Sequence, residues 1–324
     1  MNTNDYIEFF NELDDNEQTN NFIQASKRRE RFPPRNPKKM PLADQEFLTA
    51  QDDSRGNFKF TYKAARFEEW WLLDSLGDFY EHQWIADVLR RVKGGKEASV
   101  YQCRAGSAIN GELVAAKVYR PRALRNLRND GAYRQGRADL DDEGREVIDD
   151  GMLHAIKKKT EYGRELLHQS WIAYEFTSLQ NLHAAGADVP EPYAMEPNAI
   201  LMGFVGDLSA SAPTLSEISL EKNEVAPVFD RILYNIDILL SNERIHGDLS
   251  AYNILYWEGD ISLIDFPQVV SPKINRNAFA IFQRDVKRIC EYFAHQGIKA
   301  DAKKLAQEIW TSHGYSVIEA RNEE

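Results

Sequence analysis

The stretch "HGDLSAYNILYWEGDISLID" occupies residues 246–265. Its opening fits the pattern H-x-D-x-x-x-x-N, with Asp248 and Asn253 five positions apart. In a loop with that spacing the carboxylate meets an attacking hydroxyl, and the carboxamide holds a metal. "NILYW" and "ISLID" then read as the two strands of a hairpin turning at Glu258–Asp260. Asp265 ends the second strand, twelve residues after Asn253, and Phe266 follows it. An aspartate there reaches a Mg²⁺ that bridges nucleotide phosphates. Oxygen ligands from two adjacent loops suit a hard cation that keeps several of its waters. A lone H-x-D or a lone Asp-Phe recurs by chance, whereas the full spacing flanked by strands is specific. His246 is read as a brace that holds the loop through backbone hydrogen bonds.

Phosphoryl transfer also needs a cation for the phosphates and a cover over them. Lys117, in "VAAKVY", lies inside an alternating strand, where a lysine is costly unless paired. Glu175, beside the apolar positions Ile172 and Phe176 of a helix, is its expected partner. Met202 to Phe204 stand where a hinge would receive the adenine. The cover is expected at "GGKEASVYQC", which begins at Gly94. It fits neither common phosphate signature. Position 90 is Arg where G-x-x-x-x-G-K-[ST] needs glycine, and no glycine follows Gly95 until Gly106. Gly95 still lets backbone approach phosphate oxygens, and Ser99 offers a hydroxyl.

The rest of the chain sets bounds. Its 324 residues suggest one two-lobed domain or two ordinary ones, and 43% hydrophobic content is enough for a core. The net charge of −11 argues against a dedicated nucleic-acid binder. No apolar run is long enough to span a membrane, and "MNTNDYIEFF" is no signal peptide. Two cysteines, Cys103 and Cys290, fit a reduced cytoplasmic protein.

Residues 1–57 are expected to be poorly ordered, with short helices at 6–13 and 21–28. Residues 58–92 read as a helical segment, with Trp70, Leu73 and Leu76, then Trp84 and Val88, at helical spacing. Residues 93–204 form the first lobe, with a flexible charged insert at 120–162, and residues 205–324 form the second. Helices are expected at 164–185 and 228–240 and again along Phe279–Phe293, with Asp301 capping a last one. Strands with one main helix, then mostly helices with a small hairpin, make an α+β, two-lobed layout.

Taken together, these residues resemble the RIO family of atypical serine protein kinases. Gly95, Lys96, Glu97, Ala98, Val100 and Tyr101 match that family's short phosphate loop, G-K-E-[AS]-x-V-[YF], position for position. "IDFPQVV" is similar to its metal loop and "QRDVKRIC" to its closing helix. The resemblance spans about residues 90–295 and implies a protein-kinase-like fold. No A-P-E motif occurs, and about twenty residues separate Asp265 from the closing helix, so no activation segment is expected.

The resemblance implies ATP and Mg²⁺ as cofactors and a protein substrate. Asp248 would be the base, Asn253 and Asp265 the metal ligands. Gly95, Lys96, Glu97, Ser99, Val100, Lys117, Glu175, Met202 and Phe204 would form the nucleotide site. It further implies that Asp265 accepts a phosphoryl group and that ribosomes are partners, and the arginines of Lys117 to Arg137 offer a contact for RNA or an acidic partner. Aminoglycoside and choline kinases share "HGDL…N" and "IDF", so a small-molecule kinase is an alternative, as is an assembly factor with a kinase fold.

Overall fold

Glu68, Leu72, Ser75, Leu76 and Phe79 follow one another at three- and four-residue steps, and all five are buried. This stripe holds α1 (Arg66–Glu81) in place. It is rotated from the expected face, since Trp70 and Leu73 are only half-buried. The computed structural model describes residues 58–95, 97–120, 137–141 and 144–316. The helices expected at 6–13 and 21–28 lie outside these, as do Lys96 and most of the arginine-rich part of the insert. The chain divides into two compact units at Asn126/Leu127.

In the first unit α1 is followed by three antiparallel strands, β1 (Ile85–Gly94), β2 (Ala98–Ala105) and β3 (Leu113–Tyr119). The expected helix through Trp84 and Val88 is corrected to strand β1. The cause is visible in its register, which shifts between Ile85 and Asp87 and again between Val88 and Arg90. Each shift inserts an extra residue, so Ile85 and Val88, three apart, are both buried and imitate helical spacing. β2 and β3 pair without a shift, with Val100 opposite Lys117. Glu68 ties α1 to β2 by accepting the Tyr101 hydroxyl at 2.8 Å, and the Tyr62 hydroxyl approaches the same carboxylate at 3.2 Å. Burial and that carboxylate push the Tyr62 phenol up to about 12 and that of Tyr101 higher still.

The second unit opens with α2 (Asp150–Lys158) and α3 (Glu161–Ala184), so part of the insert expected at 120–162 is helical. Asp149 caps α2 and Thr160 caps α3, which explains their sharp starts. A hairpin of β4 (Pro192–Glu196) and β5 (Ala199–Gly203) leads to α4 (Lys222–Ser241). Pro227 lies inside α4, which is why the sequence suggested a start at Val228; a capping box between Glu221 and Glu224 starts it earlier.

β6 (Ile254–Trp257) and β7 (Asp260–Leu263) form the expected hairpin. Its turn residues Glu258 and Gly259 both have positive φ, 51° and 96°, as a two-residue primed turn requires. α5 (Ala278–Ala294) and α6 (Ala302–Ser312) finish the unit, with Asp301 capping α6 as expected. Ile232 and Ile236 of α4, Ile254 and Leu263 of the hairpin, and Val286, Ile289 and Phe293 of α5 meet in one core. Each such side chain contributes about 1.5–3 kcal/mol. Asp188, after α3, ties this core together. It takes Arg231 at 2.5 Å and Asn235 at 2.7 Å from α4, and its carbonyl accepts from Leu263 N. Both cysteines are free and buried.

Candidate active site

The loop that follows α4 is held from several directions. Ile245 pairs with Val270 on one side, bringing the segments before Asp248 and after Asp265 together. His246 is buried, and its Nε2 lies 3.1 Å from the Ile264 carbonyl. Its Nδ1 lies 3.3 Å from the Asp248 backbone N–H. A carbonyl only accepts and a backbone N–H only donates, so Nε2 is placed to donate to Ile264 and Nδ1 to accept from Asp248. This is the bracing role expected for it, and its ring also packs 4.7 Å from that of Phe266.

Gly247 has φ 83°, and a Cβ there would lie 2.1 Å from the Gln268 carbonyl oxygen, so only glycine fits. Its N–H donates to Asp285 Oδ2 at 2.8 Å, and Leu249 gives the same carboxylate a further backbone hydrogen bond. Burial pushes the Asp285 carboxyl above the ordinary carboxylate range, while the neighbouring His246 and Arg284 pull it back. Arg284 also donates to the Gly247 carbonyl.

Asp248 is half-exposed. Asn253, nearly buried, donates from Nδ2 to the Asp248 carbonyl at 2.9 Å, with Asp248 Oδ2 at 3.4 Å. Since the Asn253 amide nitrogen is spent on Asp248, its oxygen is the end left for a cation. Ile264 N donates to the Asn253 carbonyl at 3.0 Å, tying the segment before Asp265 to this loop. Asp265 is exposed and has φ 70°, a left-handed conformation that a non-glycine residue adopts only when its surroundings impose it. Those surroundings are Ile264 on one side and Phe266 on the other. Phe266 is buried, and its N–H donates to Glu175 Oε1 of α3 at 3.3 Å.

These donors suit one kind of metal. Among the described residues no group of three or more His, Cys, Asp and Glu forms a metal cage. A carboxamide oxygen and one exposed carboxylate instead fit Mg²⁺, which is usually bound by one or two protein oxygens together with substrate phosphates and water.

In the first unit, the loop after β1 carries the residues expected to cover phosphates. A Cβ on Gly95 would meet the Ala98 carbonyl at 3.1 Å, tight but free of backbone strain. Glu97 accepts at its carbonyl from Arg120 N at 2.9 Å. Ser99 is buried and Val100 half-buried on β2. Lys117, also buried, lies 5.4 Å over the Tyr119 ring and sits in register with Val100. In the second unit Met202, next to last in β5, lies opposite Pro192, and half-buried Phe204 follows the strand.

The sequence reading missed two residues of α5. Asp285 stands within the apolar stripe Ile281, Phe282, Val286 and Ile289, and an acid in such a stripe was a readable signal. Arg288 gives Asp248 Oδ1 an ion pair of 2.6 Å, and nothing in its local sequence announces that.

The description "RIO domain" matches residues 99–305 of this chain. A relative from Haloferax volcanii, the RIO-type serine/threonine-protein kinase Rio1, is 28% identical over 225 residues, covering 69% of each protein. The Chaetomium thermophilum serine/threonine-protein kinase RIO1 is 32% identical over 66% of this chain, which spans only 40% of that longer protein. Among solved structures, the Rio2 kinase–ADP/Mg²⁺–phosphoaspartate complex from Chaetomium thermophilum aligns with 79% of this chain and 76% of its own, at 20% identity and a TM-score of 0.49.

Proposed function

Because the chain belongs to the RIO domain family, we infer that it is an ATP- and Mg²⁺-dependent serine/threonine protein kinase of the RIO type. The observation that carries this reading is the braced loop from His246 to Asn253, joined through Ile264 to an Asp265 held at φ 70°. On this reading Asp248 takes the proton of a serine hydroxyl. That oxygen bonds the γ-phosphorus, and the bridging oxygen leaves with ADP. Asn253, through its amide oxygen, and Asp265 would hold Mg²⁺, which supplies positive charge to the phosphates when bound. Gly95, Lys96, Glu97, Ser99 and Val100 cover the phosphates. Lys117 is their cation and Glu175 its acidic counterpart, while Met202 and Phe204 line the adenine side. The partners are then ATP and a protein substrate, in a cytoplasmic setting.

Asp265 has a second part in this reading. No long segment stands between it and α5, which begins at Ala278. An exposed carboxylate at that place can itself attack the γ-phosphorus, giving an aspartyl phosphate and ADP. Water then releases phosphate, so the protein turns over ATP as a switch. The test is labelling with γ-labelled ATP, followed by hydroxylamine treatment of the quenched protein. Hydroxylamine cleaves an acyl phosphate and leaves phosphoserine intact. Label that is released, and absent from Asp265→Ala, is expected. Label that resists hydroxylamine and persists in Asp265→Ala would reduce the reading to plain serine autophosphorylation.

A further inference from the structure

Arg288 reaches from α5 to the carboxylate assigned as the base. Its Nη1 lies 2.6 Å from Asp248 Oδ1, and about 40% of each side chain is exposed. The other Asp248 oxygen is 3.4 Å from Asn253 Nδ2, so both oxygens of the base have a cationic or polar neighbour. A guanidinium has five N–H donors, and the bond to Asp248 uses one of them. Among the described residues, no other acceptor takes a hydrogen bond from Arg288. The acids nearest it on α5 are paired elsewhere, Asp285 with Arg284 at 3.1 Å and Glu291 with Lys287 at 3.5 Å. Tyr252, in the same loop between Asp248 and Asn253, exposes 68% of its surface. A guanidinium fork thus lies against the carboxylate that, on the kinase reading, accepts a hydroxyl proton.

We propose that Arg288 is a specificity residue. It selects acceptor peptides whose serine is flanked by a carboxylate or phosphate. This rests on the kinase reading above. In the free protein Arg288 occupies the base. An anionic group next to the acceptor serine draws the remaining guanidinium donors to itself, which frees Asp248 Oδ1 for the serine hydroxyl. A neutral peptide offers Arg288 nothing better than Asp248 and meets a base that is still engaged. Arginine suits this exchange, because its planar fork binds carboxylate and phosphate through two donors at once.

The test uses the full chain, Mg²⁺-ATP and a set of serine peptides in which each flanking position carries Glu, Gln or phosphoserine in turn. The wild type should prefer Glu over Gln at one flanking position or more by roughly tenfold in kcat/KM, the size of one charge-assisted hydrogen bond. A larger preference for phosphoserine marks phosphate as the better source of the anion, and a larger one for Glu marks carboxylate. In Arg288→Ala the ratio should fall to about one while turnover of the Gln peptide rises. Arg288→Lys should keep part of the ratio and controls for misfolding. Equal loss on every peptide in both variants, or a wild type that does not discriminate, overturns the proposal. Self-labelling from ATP with no transfer to any peptide also overturns it, yet leaves the kinase reading intact. Failure of self-labelling as well would sink that reading.

Discussion

The loop around Asp248 and the loop around Gly95 serve one phosphoryl transfer, on the kinase reading, yet they are built in opposite ways. The first is fixed by side chains. His246, Asn253, Arg284 and Asp285 each hold a backbone group of the 246–253 segment or its neighbour. For the second, the ties seen among the described residues include backbone ones, the β1–β2 register and the Arg120 N–H to the Glu97 carbonyl. A base must sit within hydrogen-bond reach of one proton, so its loop is over-determined. A phosphate cover works with its own N–H groups, which have to stay unspent.

Matched glycine substitutions break this comparison if it is wrong. Gly247→Ala combines a φ of 83° with a Cβ placed 2.1 Å from the Gln268 carbonyl oxygen. It should cost about 3 kcal/mol or more in urea unfolding, and transfer should fall at least tenfold. Gly95→Ala meets only a 3.1 Å contact. Its stability should change by less than about 1 kcal/mol, while the KM for ATP rises. Equal unfolding costs at the two positions would remove the distinction.

A smaller effect is expected at Asp285, which takes the Gly247 N–H at 2.8 Å. Asp285→Leu leaves buried donors without an acceptor, at about 1–3 kcal/mol. It should lower kcat more than it raises the KM for ATP, because the loop it positions carries the base. Steady-state kinetics beside unfolding curves check both. A change confined to the KM for ATP would move Asp285 to the nucleotide side.

The smallest effect lies away from both loops, in the Glu68–Tyr62–Tyr101 cluster. The Tyr62 phenol is raised to about 12 in the folded chain from an ordinary 10. The folded state therefore keeps protons that the unfolded chain loses. The stabilisation is complete below about pH 10 and is lost as pH rises through the folded value. Thermal melts between about pH 9 and 12 should fall less steeply for Tyr62→Phe than for the wild type. Parallel slopes would dissociate the cluster from alkaline stability.

These contrasts also separate what was legible in the sequence from what was not. The hairpin after Asn253, the cap at Asp301 and the bracing role of His246 were readable, because each depends on residues close in sequence. β1 was not, since its register shifts place Ile85 and Val88 at a spacing that imitates a helix. The start of α4 was hidden by Pro227, and β4 was overlooked altogether. Arg288 was illegible for another reason. Its partner Asp248 lies 40 residues earlier, and only tertiary packing brings α5 to the loop. Asp285 stood between these cases, visible as an acid inside an apolar stripe but with no sign of the N–H groups it holds.

The central claim is that Asp248 acts on the acceptor hydroxyl while Asn253 and Asp265 serve the phosphates. The direct measurement follows Mg²⁺-ATP binding and phosphoryl transfer in parallel for Asp248→Asn. The expected result is a dissociation constant within about threefold of the wild type and a transfer rate lower by about 10²–10⁴. Near-normal transfer by Asp248→Asn, or loss of nucleotide binding in step with transfer, would contradict the claim.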